Sequence, residues 1–149
     1  MALNADYVGR SFPSGSTYVV GREKIREFAT AIGDANPAYH DVAAARALGY
    51  ADVIAPPTFA IVLSLNAAMT VVMDPDLGLD FSRVVHSEQQ FAYTRPIVAG
   101  DELTVTTIIE GARTVAGNDI LTAKGVITTV AGEPVATSTS TLLARAVEA

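Results

Sequence analysis

The sequence predicts an α+β fold in which a curved antiparallel sheet wraps around one central, buried helix. Three observations carry that expectation. Residues 59–73 read as a helix that is apolar on nearly every side, the pattern of a helix buried all round. After residue 81 the apolar period falls from helical to two, with Leu103, Val105, Thr107 and Ile109 alternating with more polar neighbours. The runs 120–130 and 135–143 repeat that alternation and are rich in threonine and valine, residues that suit a pleated surface. An apolar helix needs a surface to cover it, and here the sheet is the surface on offer.

Each element follows from its own signals. Residues 22–32 form an amphipathic helix, because Ile25, Phe28, Ala29 and Ile32 recur at helical spacing while Glu23, Lys24, Arg26 and Glu27 face away. Gly33 ends it, since glycine takes a left-handed conformation at little cost. Asn36 precedes Pro37 and is expected to hold the next segment extended. A short helix over 42–48 starts from Asp41 as its cap and stops at Gly49. Pro56-Pro57-Thr58 opens the central helix with Thr58 as its cap, and Asp74-Pro75-Asp76 with Gly78 breaks it. A strand over 84–93 and another around 18–20 complete the sheet. Turns at 116–118 and 131–133 join the long strands as hairpins.

With 149 residues, half of them apolar, the chain suits one domain spanning 1–149. A net charge of -6 argues against a nucleic-acid partner, which would require a basic face. Arg22, Lys24 and Arg26 lie close together but read as a solvated helix surface. The chain has no cysteine, so disulfides and thiolate chemistry play no part, in keeping with a cytoplasmic location. Residues 1–6 lack the basic and apolar regions of a signal peptide. The apolar stretch 59–73 is interrupted by Ser64, Asn66 and Thr70 and is too short to span a bilayer. No residue set has metal-ligand spacing and no glycine-rich phosphate loop occurs, so no metal or cofactor is expected.

The densest cluster of chemistry is Gly33-Asp34-Ala35-Asn36-Pro37-Ala38-Tyr39-His40, which sets a carboxylate, an amide and an imidazole within one short segment after a helix. It resembles the G-D-x-N-P-x-H signature of MaoC-like (R)-specific hydratases and dehydratases. Two further segments support the resemblance. Val53-Ile54-Ala55-Pro56-Pro57-Thr58-Phe59 leads into the central helix, and residues 84–103 resemble the H-x-E-Q-x-F…R-P…G-D-x-L stretch of the N-terminal dehydratase-domain group. The resemblance spans most of residues 7–145. It implies a hot-dog fold, acyl-CoA or acyl-carrier-protein thioesters as substrates, and pairing into a homodimer or a heterodimer.

Two departures from the family pattern matter. Tyr39 stands where the signature has histidine, with His40 one place later, and Ala55-Pro56-Pro57 stands where catalytic members have A-H-G. Both departures resemble those of HadA-type subunits, the non-catalytic halves of heteromeric dehydratases, whose catalytic MaoC-like partner brings the active residues. The resemblance therefore implies a subunit of a (3R)-hydroxyacyl-thioester dehydratase or 2-enoyl-thioester hydratase. A self-sufficient homodimeric enoyl-CoA hydratase and a non-enzymatic acyl-binding protein stay open as alternatives. A hot-dog thioesterase is weaker, since many of those carry an acid on the central helix and residues 59–73 contain none.

Reversible hydration of an enoyl thioester needs a base near working pH, donors for the thioester oxygen and an apolar tunnel. Asp34 with His40 is the candidate catalytic pair; the competing reading has Asp34 bracing the turn and His40 beside the Asp41 cap. Asn36, Tyr39, Pro57, Thr58, Asn66 and His86 are the candidates for contacting substrate. Among these, Tyr39 is a poor base and better suited to packing. Backbone N–H groups at the start of the central helix, near Pro57 and Thr58, are the expected oxyanion donors. Asn66 reads as a satisfied core amide or a tunnel-lining residue. His86, with Glu88 alternating onto the same face, also reads as structural or interfacial. Arg95 ends its strand, and a salt bridge is its expected use.

Overall fold

The computed structural model describes residues 2–147 of the expected 1–149 span; residues 1, 148 and 149 lie outside the described residues. Strands β1 (Ser11–Pro13), β2 (Tyr18–Val19), β3 (Val84–Tyr93), β4 (Glu102–Val115), β5 (Asn118–Thr129) and β6 (Pro134–Ala144) form one antiparallel sheet. Its order is β1-β4-β5-β6-β3, with β2 also paired to β4. Helices α1 (Arg22–Ala31), α2 (Pro37–His40), α3 (Val42–Ala47) and α4 (Ile61–Val72) fall between β2 and β3. Helix α4 packs on β4 and β5 as the central helix of a hot-dog fold.

The three long strands hold together through tight hairpins. Ala116 and Gly117 both have positive φ, 50° and 78°, the backbone that matches the twist of two paired strands. Inward positions Leu103, Val105, Ile109, Leu121, Ile127 and Val135 are buried, as the alternation requires. The apolar core is nevertheless divided. One cluster gathers Ile25, Phe59, Leu63, Val105 and Ile127; the other gathers Val71, Val72, Ile109, Leu121 and Leu142.

A seam of small and polar residues lies between them. Thr107 pairs with Gly125, and Gly125 pairs with Ser138 on the next strand. A Cβ at Gly125 would sit 3.1 Å from Ser64 Cβ, so glycine lets α4 settle onto the sheet here. Ser64 then hydrogen-bonds Ser138 at 2.8 Å across the interface.

Several expectations are corrected. Residues 37–40 form a helical turn rather than an extended segment: Asn36 itself is non-helical, and Pro37 suits the first helical position, where its missing N–H is not needed. Thr58 does not cap α4. A tight turn intervenes at 57–60, and the cap position falls on Ala60, whose side chain makes no cap bond. Helix α4 is also not buried all round, because the sheet covers Leu63, Ser64, Val71 and Val72 while Leu65, Asn66 and Thr70 stay exposed. Strand β1 went unpredicted; three residues ending in proline carry too little alternation to read. Finally, β3 has a bulge between His86 and Glu88 that breaks the alternation. His86 pairs opposite Leu142 and Gln89 opposite Ser140, so His86 shares its face with Gln89 and not with Glu88.

Candidate functional site

The segment 33–40 is built as two consecutive caps. Gly33, at φ 72°, lets the chain leave α1, and the Asp34 carboxylate then accepts from the Asn36 N–H at 3.0 Å. The Asn36 side chain in turn accepts from the Ala38 N–H at 3.1 Å, starting α2. The Asp34 carboxylate is therefore engaged by the turn. His40 reaches back to the same residue, but to its main chain: Nε2 lies 2.9 Å from the Asp34 carbonyl oxygen. A carbonyl only accepts, so Nε2 carries the proton.

Neighbouring residues on α2 face different surroundings. Tyr39 is 8% exposed and lines a pocket of about 320 Å³ with Ile54, Ala55, Pro57, Tyr93 and Arg95. His40 lines a separate shallow depression of about 250 Å³ with Thr30, Gly33 and Asp34. Burial raises the Tyr39 phenol above its ordinary pKa, and the Asp34 charge adds to the rise, which takes it further from service as a base.

The Tyr39 pocket is rigidly framed. Tyr93 donates its hydroxyl to the Pro57 carbonyl at 2.6 Å. Burial pushes that phenol up to about 12, against a smaller opposing effect of the Ala60 backbone N–H. The strap at 53–55 is held by Ile54 N–H to Ala38 at 3.1 Å and Ala55 N–H to Ile97 at 2.8 Å. Arg95 is fully engaged: it forks onto Asp101 at 2.8 and 3.0 Å and meets Glu133 at 2.8 Å. Those carboxylates, Asp101 foremost, raise its pKa further above an already high value. The salt-bridge expectation for Arg95 matches this geometry.

Of the oxyanion donors expected at the start of the central helix, Pro57 has no N–H to offer, and those from Phe59 onward are largely occupied. The N–H groups of Phe59, Ile61, Val62 and Leu63 bond to the carbonyls of Pro56, Thr58, Phe59 and Ala60 at 2.9–3.2 Å. The tight turn before α4 uses up most of the donors that an abrupt helix start would leave free.

The remaining candidates lie elsewhere. Thr58 and His86 line a groove of about 520 Å³ between the start of α4 and β3, with Ile61, Glu88, Gln89 and Phe91. Asn66 is exposed, not a core amide, and lines a pocket of about 230 Å³ with Ser14, Thr17, Leu63, Thr70 and Val105. The fold thus brings together Tyr39 with Pro57, Thr58 with His86, and Asp34 with His40, and leaves these pairs apart. Sequence reasoning missed Tyr93, which pins the Pro57 turn, and the Ser64–Ser138 contact. A tyrosine two residues before Arg95-Pro96 carries no local signal of that role. Among the described residues no group of three or more His, Asp or Glu side chains is placed to hold a metal, and no helix is long and apolar enough to cross a membrane.

Comparison with known proteins decides the family. A family model described as the FAS1-like dehydratase domain region matches residues 6–138. The chain belongs to the MaoC-like dehydratase family. A UPF0336 protein of Streptomyces avermitilis is 59% identical over 148 residues, 99% of each chain. Among solved structures, a chain of the C-terminally truncated HadBC (3R-hydroxyacyl-ACP dehydratase) complex from Mycobacterium tuberculosis superposes with a TM-score of 0.85. It is 30% identical, and the match covers 95% of this chain and 99% of that one. A MaoC-like dehydratase matches with a TM-score of 0.82 and 37% identity, over 94% of this chain and 42% of that one. Within this MaoC-like frame, the Tyr39 side of α2 is the side that faces the start of the central helix.

Proposed function

We propose that this chain is a subunit of a (3R)-hydroxyacyl-thioester dehydratase or 2-enoyl-thioester hydratase, and that it shapes the acyl channel for a catalytic MaoC-like partner. One observation carries the reading. The side chain that α2 turns toward Pro57 is a buried phenol, while the imidazole one place later is turned to a different depression and bonded to main chain. A base set on the wrong side of its turn cannot share a substrate with the helix start, since proximity effects tolerate little misplacement. The missing N–H of Pro57 and the occupied N–H groups from Phe59 to Leu63 support the same conclusion.

The surface left on the chain suits a partner. Leu65 on α4 and Met73 at its C-terminal cap are exposed and Met69 is partly buried, so an apolar row at four-residue spacing faces outward. Beside it, β3 is a sheet edge, pairing with β6 on one side alone among the described residues. A second hot-dog chain seated there would cover both. The HadBC relative is itself a complex. The apolar walls of the Tyr39 pocket suit an acyl chain from a CoA or carrier-protein thioester.

Co-expression with a catalytic MaoC-like partner tests the reading. The chain alone should show no hydration of crotonyl-CoA, and the pair should migrate as one species with hydratase activity above that of the partner alone. Separate migration with no gain in rate would reject it. A second reading, a self-sufficient homodimeric hydratase using Asp34 and His40, is favoured by one observation: both residues line the same depression. Turnover by the pure chain, abolished in His40→Ala, would select that reading instead.

A further inference from the structure

Strands β1 and β2 lie along the same edge of β4 but do not join. Strand β1 pairs as far as Pro13 with Thr106, and β2 resumes at Tyr18 with Leu103. Between them residues 14–17 leave the strand pairing, turning at Gly15 with φ 69°. The Ser14 N–H tethers this loop to the Val105 carbonyl at 2.9 Å. A pocket of about 230 Å³ opens between the loop and α4. Its inner lining is apolar, with Leu63, Leu103 and Val105 all buried. Its mouth carries Ser16, Thr17, Asn66 and Thr70, all exposed.

Asn66 and Thr70 stand four residues apart and so share one face of α4. Five residues separate Asn66 from Ile61, which shares a groove with β3, and five residues turn a helix by about 140° past a full turn. The pocket therefore lies on the flank of α4 turned away from the β3 edge. Asparagine and threonine form helices less readily than alanine or leucine. Neither side chain recovers that loss through a hydrogen bond to another described residue, and the Thr17 hydroxyl is free in the same way. The Ser14 hydroxyl, by contrast, is engaged by the Ser16 carbonyl at 3.3 Å. Among the described residues no acidic or basic side chain lines the pocket.

We infer that the pocket between the β1–β2 loop and α4 is a binding site for a small uncharged ring bearing a carboxamide or lactam group, with Asn66 paired to the amide edge and Leu63 and Val105 against the ring. Three features select that class. A lining without charge excludes ions, because nothing there replaces the hydration of a desolvated charge. A primary amide side chain presents a donor and an acceptor side by side, and the ligand edge that matches both at once is another amide. The volume lies below the roughly 300 Å³ at which pockets for drug-sized ligands begin, which limits the occupant to one ring and its substituent. Thr17 and Thr70 supply hydroxyls that donate or accept as the substituent requires. No acid or base is present to carry out chemistry, so the site binds and does not react.

The test uses the full chain, benzamide as probe, and ¹H–¹⁵N correlation NMR. Titration should give saturable shifts at the Asn66 side-chain N–H₂ and at the backbone N–H groups of residues 15–18, and leave the Gln89 side-chain amide in place. Benzoate, the same ring carrying a charge, should bind at least about tenfold more weakly, the cost of desolvating an unpaired charge. Asn66→Ala should weaken benzamide binding roughly tenfold, the loss of its paired hydrogen bonds. Its melting temperature should not fall, since alanine is the better helix former. Thr70→Val keeps the shape of the mouth, removes one hydroxyl and should weaken binding by a smaller factor. No saturable shift around residues 15–18, equal binding of benzoate and benzamide, or wild-type affinity in Asn66→Ala would each overturn the assignment. The site shares no residue with the Tyr39 pocket, so any of these results leaves the function proposed above standing.

Discussion

Tyr39 and His40 are adjacent residues on a single helical turn, yet the two sides of that turn are different environments. On the Tyr39 side the surroundings are buried and fixed: Phe59 is fully buried against Phe28, and Tyr93 holds the Pro57 turn. On the His40 side the depression is shallow, and its polar groups are engaged by local main chain. A step of one residue along a helix rotates a side chain by about 100°. Displacing a histidine by one position therefore moves it onto another surface rather than to a nearby point on the same one. The comparison teaches that the register of one turn decides which surface a side chain serves as much as the residue inventory does.

The strongest way to break the comparison is to empty the framed side. Phe59→Ala should cost about 3–5 kcal/mol, as for other large aromatic truncations in a core, and denaturant unfolding measures it. A loss under about 1 kcal/mol would mean that the Tyr39 side is not the rigid one. Gly125→Val tests the seat of α4 that positions Pro57. With a Cβ already 3.1 Å from Ser64 Cβ and 3.3 Å from Val105 Cγ1, the added methyls should cost about 1–3 kcal/mol. A melting temperature equal to wild type would show that the helix can lift without penalty.

Tyr93→Phe is a smaller and sharper probe. Loss of the bond to Pro57 should cost about 1 kcal/mol at neutral pH. The same variant changes the alkaline behaviour. The phenol titrates near 10 in the unfolded chain and near 12 in the folded one. Its contribution is therefore fully present below about 10 and is lost as pH rises through about 12. Wild type should lose stability across that window more steeply than Tyr93→Phe, as read from unfolding midpoints at stepped pH. Identical slopes would mean that the phenol is not held protonated by its site. On the opposite side, Asp34→Asn keeps an acceptor for the Asn36 N–H and should change stability by less than about 0.5 kcal/mol. A larger loss would show a charge-dependent role that the hydrogen bonding does not reveal.

The body of the fold was legible because its signals are periodic. The amphipathic set Ile25, Phe28, Ala29 and Ile32, and the alternation from Leu103 to Ile109, each specify an element from its own residues. The start of the central helix was not legible, because Thr58 has the chemistry of a cap but the two prolines before it favour a tight turn first. The side of α2 on which His40 lies was unreadable for a related reason. Asn36, read as holding the next segment extended, proved to cap a helical turn that begins at Pro37, and the direction of each side chain follows from that turn. The bulge at Ser87 likewise has no marker in sequence, and it alone separates His86 from Glu88 and joins it to Gln89. The exposed apolar row along α4 was misread as buried because an apolar side chain reads the same in sequence whether or not the sheet covers it.

The most direct test of the central claim is the initial rate of crotonyl-CoA hydration by the partnered complex, with wild-type chain against His40→Ala. The account predicts equal rates, because the imidazole lies on the wrong side of its turn. A fall of about a hundredfold or more, the usual loss when a general base is removed, would contradict it and assign the chemistry to this chain.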